Sequence, residues 1–496
     1  MAVPRTIGTI LIIALSGLLL GFDGSLFTGA VVFVKKQFAL SDIELGWTVS
    51  SHTLSATLSI FLAGPLADRI GRRTVLRVAT CMFAVSAVVA AAANGYAMLI
   101  VARLLSGLGV GAVFVAAPMY IAEISPPALR GRMVTVNQLF LVSGIFLASV
   151  NNLLIVQLEG LPIDWLGRLH LADSNWRWML GIGVLPAALY LFALLFVPES
   201  PRWHAMHGRL TAARRILVRA HGDEMAEREL AEVRASLAHD SPGSDATLRE
   251  LLAPRLRGVL FIGLVVGVLQ QITGINAVLG YAPMIFARAG SDVGITAPFV
   301  QTTLITLVNV LSTVVALLLI DRVGRRPLLI FGTAGIGGCL FATSWGFQSS
   351  GGVFNSQWVL LGLLGFVACF ALSLGPVMWV LLSEIFPNRV RALAISCVGL
   401  VNSAVCFVAQ LVFPWQMENL GGAKTFLIYG LFAVLGVAVL ARILPETRGR
   451  SLEELEESLV RQPEGAASSV ESDTAAPAPQ ISWMPVDSPR HRSTRQ

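Results

Sequence analysis

Six amide side chains, Gln138, Gln270, Gln271, Asn276, Asn309 and Asn402, lie inside long apolar stretches of a 496-residue chain. In hydrocarbon an amide without partners costs several kcal/mol, so these groups must face a polar cavity or one another. Each offers donors and acceptors together, which suits a ligand whose hydroxyls do the same. Hydrogen bonding between helices, worth about 1 kcal/mol per contact, is the other use of such residues. Asp23, in Gly21-Phe22-Asp23-Gly24, adds an ionisable group to the first apolar run. An isolated carboxylate at that depth becomes protonated or draws in water, so it needs a partner or a task.

The elements that must position these groups are membrane helices. Hydrophobic residues make up 55% of the chain and charged residues only 13%, whereas an ordinary soluble domain carries about 25% charged residues. With about 20 apolar residues needed to cross roughly 30 Å of hydrocarbon, twelve spans are predicted, at 7–34, 45–67, 75–95, 97–122, 134–157, 178–197, 258–287, 298–320, 328–347, 357–382, 392–414 and 423–443. The expected fold is an all-α membrane protein with two six-helix halves, 1–197 and 258–461. Between them 198–257 reads as a helical linker, in which Ala213-Arg214-Arg215-Ile216-Leu217-Val218-Arg219 has the pattern of a short amphipathic helix. Beyond 462 the Ala-, Ser- and Pro-rich sequence reads as a disordered tail.

Basic residues gather in alternate loops, at Arg69/Arg72/Arg73/Arg77, Arg130/Arg132, the linker, Arg322/Arg325/Arg326 and Arg389/Arg391. This places both termini and the linker in the cytoplasm and makes the chain a multi-pass protein of the cell membrane. The net charge of +6 is thereby explained by orientation rather than by nucleic-acid binding. The first run is too long for a signal-peptide core. The five cysteines sit in apolar stretches without Cys-x-x-Cys spacing and read as small core residues. No nucleophile–base set, metal-ligand cluster or phosphate loop supports an enzyme, and no cofactor is expected.

Depth suggests a partner for Asp23. It lies about 11 residues, roughly 16 Å, from the outer end of span one, and Arg103 lies about six residues, roughly 9 Å, below the outer end of span four. The length of an arginine side chain covers the difference. A permanent structural salt bridge is the alternative to a functional pair. His52 in span two could join a proton relay, but a lone histidine on an apolar helix is more often a hydrogen-bonded core residue and is not counted in the expected site.

Asp68-Arg69-Ile70-Gly71-Arg72-Arg73 recurs as Asp321-Arg322-Val323-Gly324-Arg325-Arg326, each copy closing an apolar run at corresponding places in the two halves. Such an internal repeat marks a secondary transporter. Beside it stand Pro198-Glu199-Ser200-Pro201-Arg202-Trp203, Pro445-Glu446-Thr447-Arg448-Gly449, Gln270-Gln271-Ile272-Thr273-Gly274-Ile275-Asn276 and Gly375-Pro376-Val377-Met378-Trp379. Over about 7–460 this set resembles the sugar porter family of the major facilitator superfamily.

The resemblance implies a major facilitator fold and a site in which Gln138, Gln270, Gln271, Asn276, Asn309 and Asn402 bind sugar. Trp379 would offer its flat face to a sugar ring, with a plain core aromatic as the alternative. On a straight helix Gln270 and Asn276 point about 120° apart, so Gly274 and Pro283 are expected to bend span seven, with Tyr281 beyond the bend as a lid. A cytoplasmic latch is implied from Asp68, Arg69, Arg72, Arg73, Glu123, Arg130 and Glu199 in the first half. In the second half it would use Asp321, Arg322, Arg325, Arg326, Glu384, Arg391 (or Arg389) and Glu446. Charge that merely sets topology is the alternative for any single arginine.

Asp23 and Arg103 resemble the titrating pair of proton-coupled members. The chain departs from the family at Gly280-Tyr281, Ala371 and Ser403, where paired aromatics, an acid and an aromatic are frequent, which implies a roomier or differently selective pocket. The function implied is proton-coupled symport of a monosaccharide or a related polyol, with sugar, proton and lipid bilayer as partners. A facilitative uniporter is the first alternative. A sugar sensor is disfavoured by the lack of an output module, and a multidrug exporter by the Gln270-Gln271…Asn276 group.

Overall fold

Backbone groups in hydrocarbon must pair within their own segment, so apolar runs of this length fold as helices. The computed structural model describes residues 2–125, 130–159, 171–239, 248–290, 296–348, 353–387 and 389–446; the tail expected beyond 462 lies outside them. The first half comprises α1 (Ala2–Gln37), α2 (Asp42–Ile70), α3 (Arg72–Ala91), α4 (Tyr96–Ile124), α5 (Arg130–Glu159) and a sixth span made of α6 (Leu171–Gly181) and α7 (Val184–Ala193). The linker supplies α8 (Pro201–Met206), α9 (Leu210–His221), α10 (Asp223–His239) and α11 (Leu248–Leu251). The second half comprises α12 (Pro254–Ile272) with α13 (Ile275–Arg288), α14 (Thr296–Val323), α15 (Arg325–Gln348), α16 (Val353–Leu372) with α17 (Leu374–Ile385), α18 (Arg391–Asn419) and α19 (Gly421–Ile443). This is an all-helical protein of twelve spans in two halves of six.

Among the described residues, eleven helical stretches are long and apolar enough to cross a bilayer. The twelfth span, α2, has 29 residues, but Thr48, Ser50, Ser51, His52, Ser55 and Ser59 dilute its hydropathy. All six are buried. Their hydroxyls bond largely to nearby carbonyls, Ser51 to Thr48, Ser55 to His52 and Ser59 to Leu108. Polar residues facing other helices, rather than lipid, are compatible with a span.

The linker helix read from the sequence is α9. Ala213 and Leu217 pack on Ala205, Ala226 and Leu230, while Arg214 at the edge of this contact pairs with Asp223 and Glu227 of α10. Span seven starts earlier than predicted, because Pro254 occupies the first helical turn, where its missing N–H does no harm.

Two cores result. One lies within the first half near its charged loops and includes Ile13, Leu76, Phe83, Tyr120 and Leu194. The other runs from the opposite end of the first half, through Phe27, Leu45, Leu99 and Trp176, into the second half at Tyr281, Phe286 and Phe413. Among the described residues the halves thus share a core at one end only.

Candidate functional site

The break in span seven brings four of the six amides together. Gly274 takes φ +84°, a left-handed conformation that side chains with a Cβ resist, and sets α13 at an angle to α12. Across that turn Asn276 Nδ2 donates to Gln271 Oε1 at 2.7 Å. Gln271 Nε2 donates to Asn402 Oδ1 at 3.2 Å, and Asn402 Nδ2 donates to Gln270 Oε1 and to the Gly267 carbonyl, both at 2.8 Å. Gln270 Nε2 reaches the Leu374 carbonyl at 3.0 Å, next to the break in span ten at Ser373. Gln270, Gln271 and Asn402 are buried and Asn276 is half-buried. The bend therefore removes the angular separation that a straight helix would impose.

Asn309 is buried and Gln138 is exposed, and neither side chain joins this network among the described residues. Trp379 is 37% exposed, with Phe114 of the first half 6.3 Å from it, ring to ring. Tyr281 is fully buried; its hydroxyl donates to the Gln410 carbonyl at 3.0 Å and its ring stacks on Phe413 at 5.3 Å. A narrow cavity lined by Ser25, Asn152, Thr302 and Thr306 among others measures about 10 Å³. That is room for roughly one water and too little for a sugar-sized ligand.

Asp23 is buried between α1, α2 and α4. Ser106 donates its hydroxyl to Oδ2, and His52 Nε2 stands 3.9 Å from the same oxygen. Arg103 is also buried but is held elsewhere, by the carbonyls of Thr48 at 3.3 Å and Val49 at 3.4 Å and by the ring of Phe27 at 4.5 Å. Among the described residues the expected Asp23–Arg103 contact is not made. Two α2 carbonyls take the guanidinium, and the hydroxyl three residues along α4 takes the carboxylate. Ser106 is legible in the sequence as an i,i+3 neighbour of Arg103 on one helical face, and His52, expected to be a core residue, stands beside the carboxylate.

At the charged end the two repeats build one device twice. Gly71 (φ +97°) and Gly324 (φ +100°) separate consecutive helices, leaving the first N–H groups of α3 and α15 open to an anion. Glu199 accepts the N–H of Arg73 at 3.0 Å; Glu446 accepts those of Arg325 at 3.1 Å and Arg326 at 3.2 Å. Arg72 pairs with Glu123 at 2.9 Å and Asp68 at 2.8 Å, and Arg325 pairs with Glu384 at 2.8 Å. Arg73 donates to the carbonyls of Leu194 and Leu195 at the end of span six, as Arg326 does to that of Ala441 at the end of span twelve. Ser200 bonds Glu123. Arg69 and Arg322 are exposed. Arg391 donates to the Phe386 carbonyl at 3.1 Å, while Arg389 meets Glu250 of α11 at 3.1 Å. The side chains of Arg130 and Asp321 lie outside the described residues. The described pairs of these two clusters join helices of the same half.

Contacts between halves gather at the other end. Thr53 donates to Gln410 at 2.6 Å and Ser149 and Thr306 share a hydrogen bond of 2.6 Å. Trp47 meets Phe407 edge-on and Phe33 stacks on Phe299, each at 6.1 Å. Gly46 packs so tightly that a Cβ would lie 2.0 Å from the Leu411 carbonyl oxygen. Together with the shared core, this describes two halves closed away from the charged loops.

The family model for sugar (and other) transporters matches residues 9–459. The arabinose-proton symporter of Bacillus subtilis (strain 168) is 37% identical over 449 residues, covering 90% of this chain and 93% of that protein. Among solved structures, the inward-open xylose transporter XylE from E. coli aligns with a TM-score of 0.76 at 30% identity, over 92% of this chain and all of the other. The proton:xylose symporter XylE bound to 6-bromo-6-deoxy-D-glucose aligns at 0.72 with 31% identity, over 92% of this chain and 99% of the other. The matched family and these relatives are transporters, and the fold is that of the major facilitators.

Proposed function

The chain belongs to the sugar transporter family, and we propose that it carries a monosaccharide, a hexose or pentose, or a related polyol, into the cell together with a proton. The observation that carries this reading is the joined amide network at a broken helix, beside a second buried site built on Asp23. Gln270, Gln271, Asn276 and Asn402 bind hydroxyls from one side. Gln138, Asn309 and Trp379 bind from the others, and Tyr281 closes the outer exit. An exposed amide such as Gln138 is tolerable only against water, which supports a hydrated space between the halves.

Asp23 takes up the proton, and Arg103 leaves its α2 carbonyls to pair with the carboxylate when the carrier changes state. The positive-inside rule puts the charged end, the linker 198–257 and both termini in the cytoplasm of a cell-membrane protein. The closure at the opposite end then corresponds to an inward-facing state, a reading supported by the likeness to the inward-open and partially occluded inward-open structures, each at a TM-score of 0.76. The halves 1–197 and 258–461 rock about the site, and the arginine clusters meet across the cytoplasmic face in the outward-facing state to act as its latch. No enzyme activity is part of this reading. Counterflow of labelled D-xylose, L-arabinose, D-glucose and D-galactose in proteoliposomes tests it; exchange of at least one sugar supports transport, and exchange of none in folded protein refutes it.

A further inference from the structure

His52 occupies an environment that a core histidine does not need. Its Nε2 is buried without a hydrogen-bond partner and points toward Asp23 Oδ2 at 3.9 Å. A core histidine is normally satisfied by a carbonyl or hydroxyl, because a buried polar atom otherwise loses its water without return. Here the oxygen facing it belongs to a carboxylate that is itself buried. Gly24, the next residue of α1, faces the ring: a Cβ there would make ordinary van der Waals contact with His52 Cε1 at 4.0 Å.

The other ionisable groups around the pair are committed. From α4, Arg103 is bonded to the carbonyls of Thr48 and Val49; from α13, Tyr281 is bonded to the carbonyl of Gln410. Ser106 of α4 occupies one lone pair of the carboxylate. Among the described residues α5 and α18 bring no charged side chain to this depth.

We infer that His52 shares the coupling proton with Asp23, as a positioning partner of the carboxylate rather than a core residue. This rests on the proton-symport reading above. A small rotation of the imidazole closes 3.9 Å to hydrogen-bond length, so one proton can reside on the carboxyl or on Nε2. Moving the proton between the two groups leaves the charge of the pair unchanged at zero, and its loss leaves one negative charge beside the buried Arg103. Two sites for one proton hold it more tightly than Asp23 alone, and the pair titrates as a unit.

The test is the pH dependence of proton-driven accumulation in proteoliposomes, using labelled L-arabinose and D-xylose, for wild type, His52→Gln and His52→Met. Counterflow of the same sugars serves as the measure of folding and cycling. The proposal expects counterflow within about twofold of wild type and a half-maximal pH moved to the acid side by about one unit in both variants, the scale on which interacting sites couple. An unmoved midpoint in a variant that still exchanges sugar overturns it. Loss of counterflow in both variants also overturns it, since His52 would then serve folding or cycling. A wild type that exchanges sugar but never accumulates it on a proton gradient removes the symport reading itself, which is a distinct result.

Discussion

Asn276 Nδ2 donates to Gln271 Oε1 at 2.7 Å across the left-handed turn at Gly274, so side chains tie span seven together where its backbone ladder is interrupted. Gln271 continues the tie to Asn402 on α18 at 3.2 Å. A ligand that engages Asn276 therefore acts on a joint between three helical segments.

Replacing Gln271 or Asn276 by Ala removes a partner from that joint. Each variant should remain folded in the membrane and bind sugar about 5- to 150-fold more weakly, the equivalent of about 1–3 kcal/mol for a lost buried hydrogen bond. Binding isotherms on purified protein measure this. Equal affinity in both variants would take these residues out of the site.

Arg72 is 3% exposed at its side chain and Glu123 is 9% exposed. Removing one partner of a buried pair leaves the other charge uncompensated and typically costs about 3–5 kcal/mol. Arg72→Ala should lower the thermal unfolding midpoint clearly. Neutralising Arg72 together with Arg325 should also shift the distances between spin-labelled cytoplasmic helix ends toward the inward-open state. An unchanged distance distribution would leave these arginines to structure and topology.

Gly71 and Gly324 test the repeated helix-end device. Their φ values of +97° and +100° lie in a region that is essentially glycine-only, at about 1–3 kcal/mol for another residue. A Cβ at Gly71 would also stand 2.4 Å from the Glu199 carboxylate, against 3.0 Å from Glu446 for Gly324. Alanine at either position should destabilise, and Gly71→Ala should do so more. Thermal unfolding of the two variants side by side checks the order.

Much of this is legible in the sequence, because the governing constraint is local. A run of twenty apolar residues must be a helix in lipid, and a doubled Asp-Arg-x-Gly-Arg-Arg must end two of them. The bend at Gly274 also followed from one residue type and two amides that had to converge. Side-chain partnership was less legible. Depth pairs Asp23 with Arg103, but it does not register that the α2 carbonyls of Thr48 and Val49 lie within hydrogen-bond reach of the guanidinium. His52 looked like a core residue because sequence records its apolar neighbours and not the oxygen 3.9 Å away. The gathering of cross-half contacts at one end belongs to a conformational state, which a sequence common to all states does not specify.

The most direct test of the central claim is sugar accumulation by Asp23→Asn in proteoliposomes under an imposed proton gradient, with sugar counterflow measured on the same preparation. Asparagine keeps the size and hydrogen-bonding capacity but holds no coupling proton. The account predicts that the wild type concentrates sugar and alkalinises the outside medium on sugar addition. It predicts that Asp23→Asn retains counterflow but does neither. Accumulation by Asp23→Asn at the expense of the proton gradient would contradict the account.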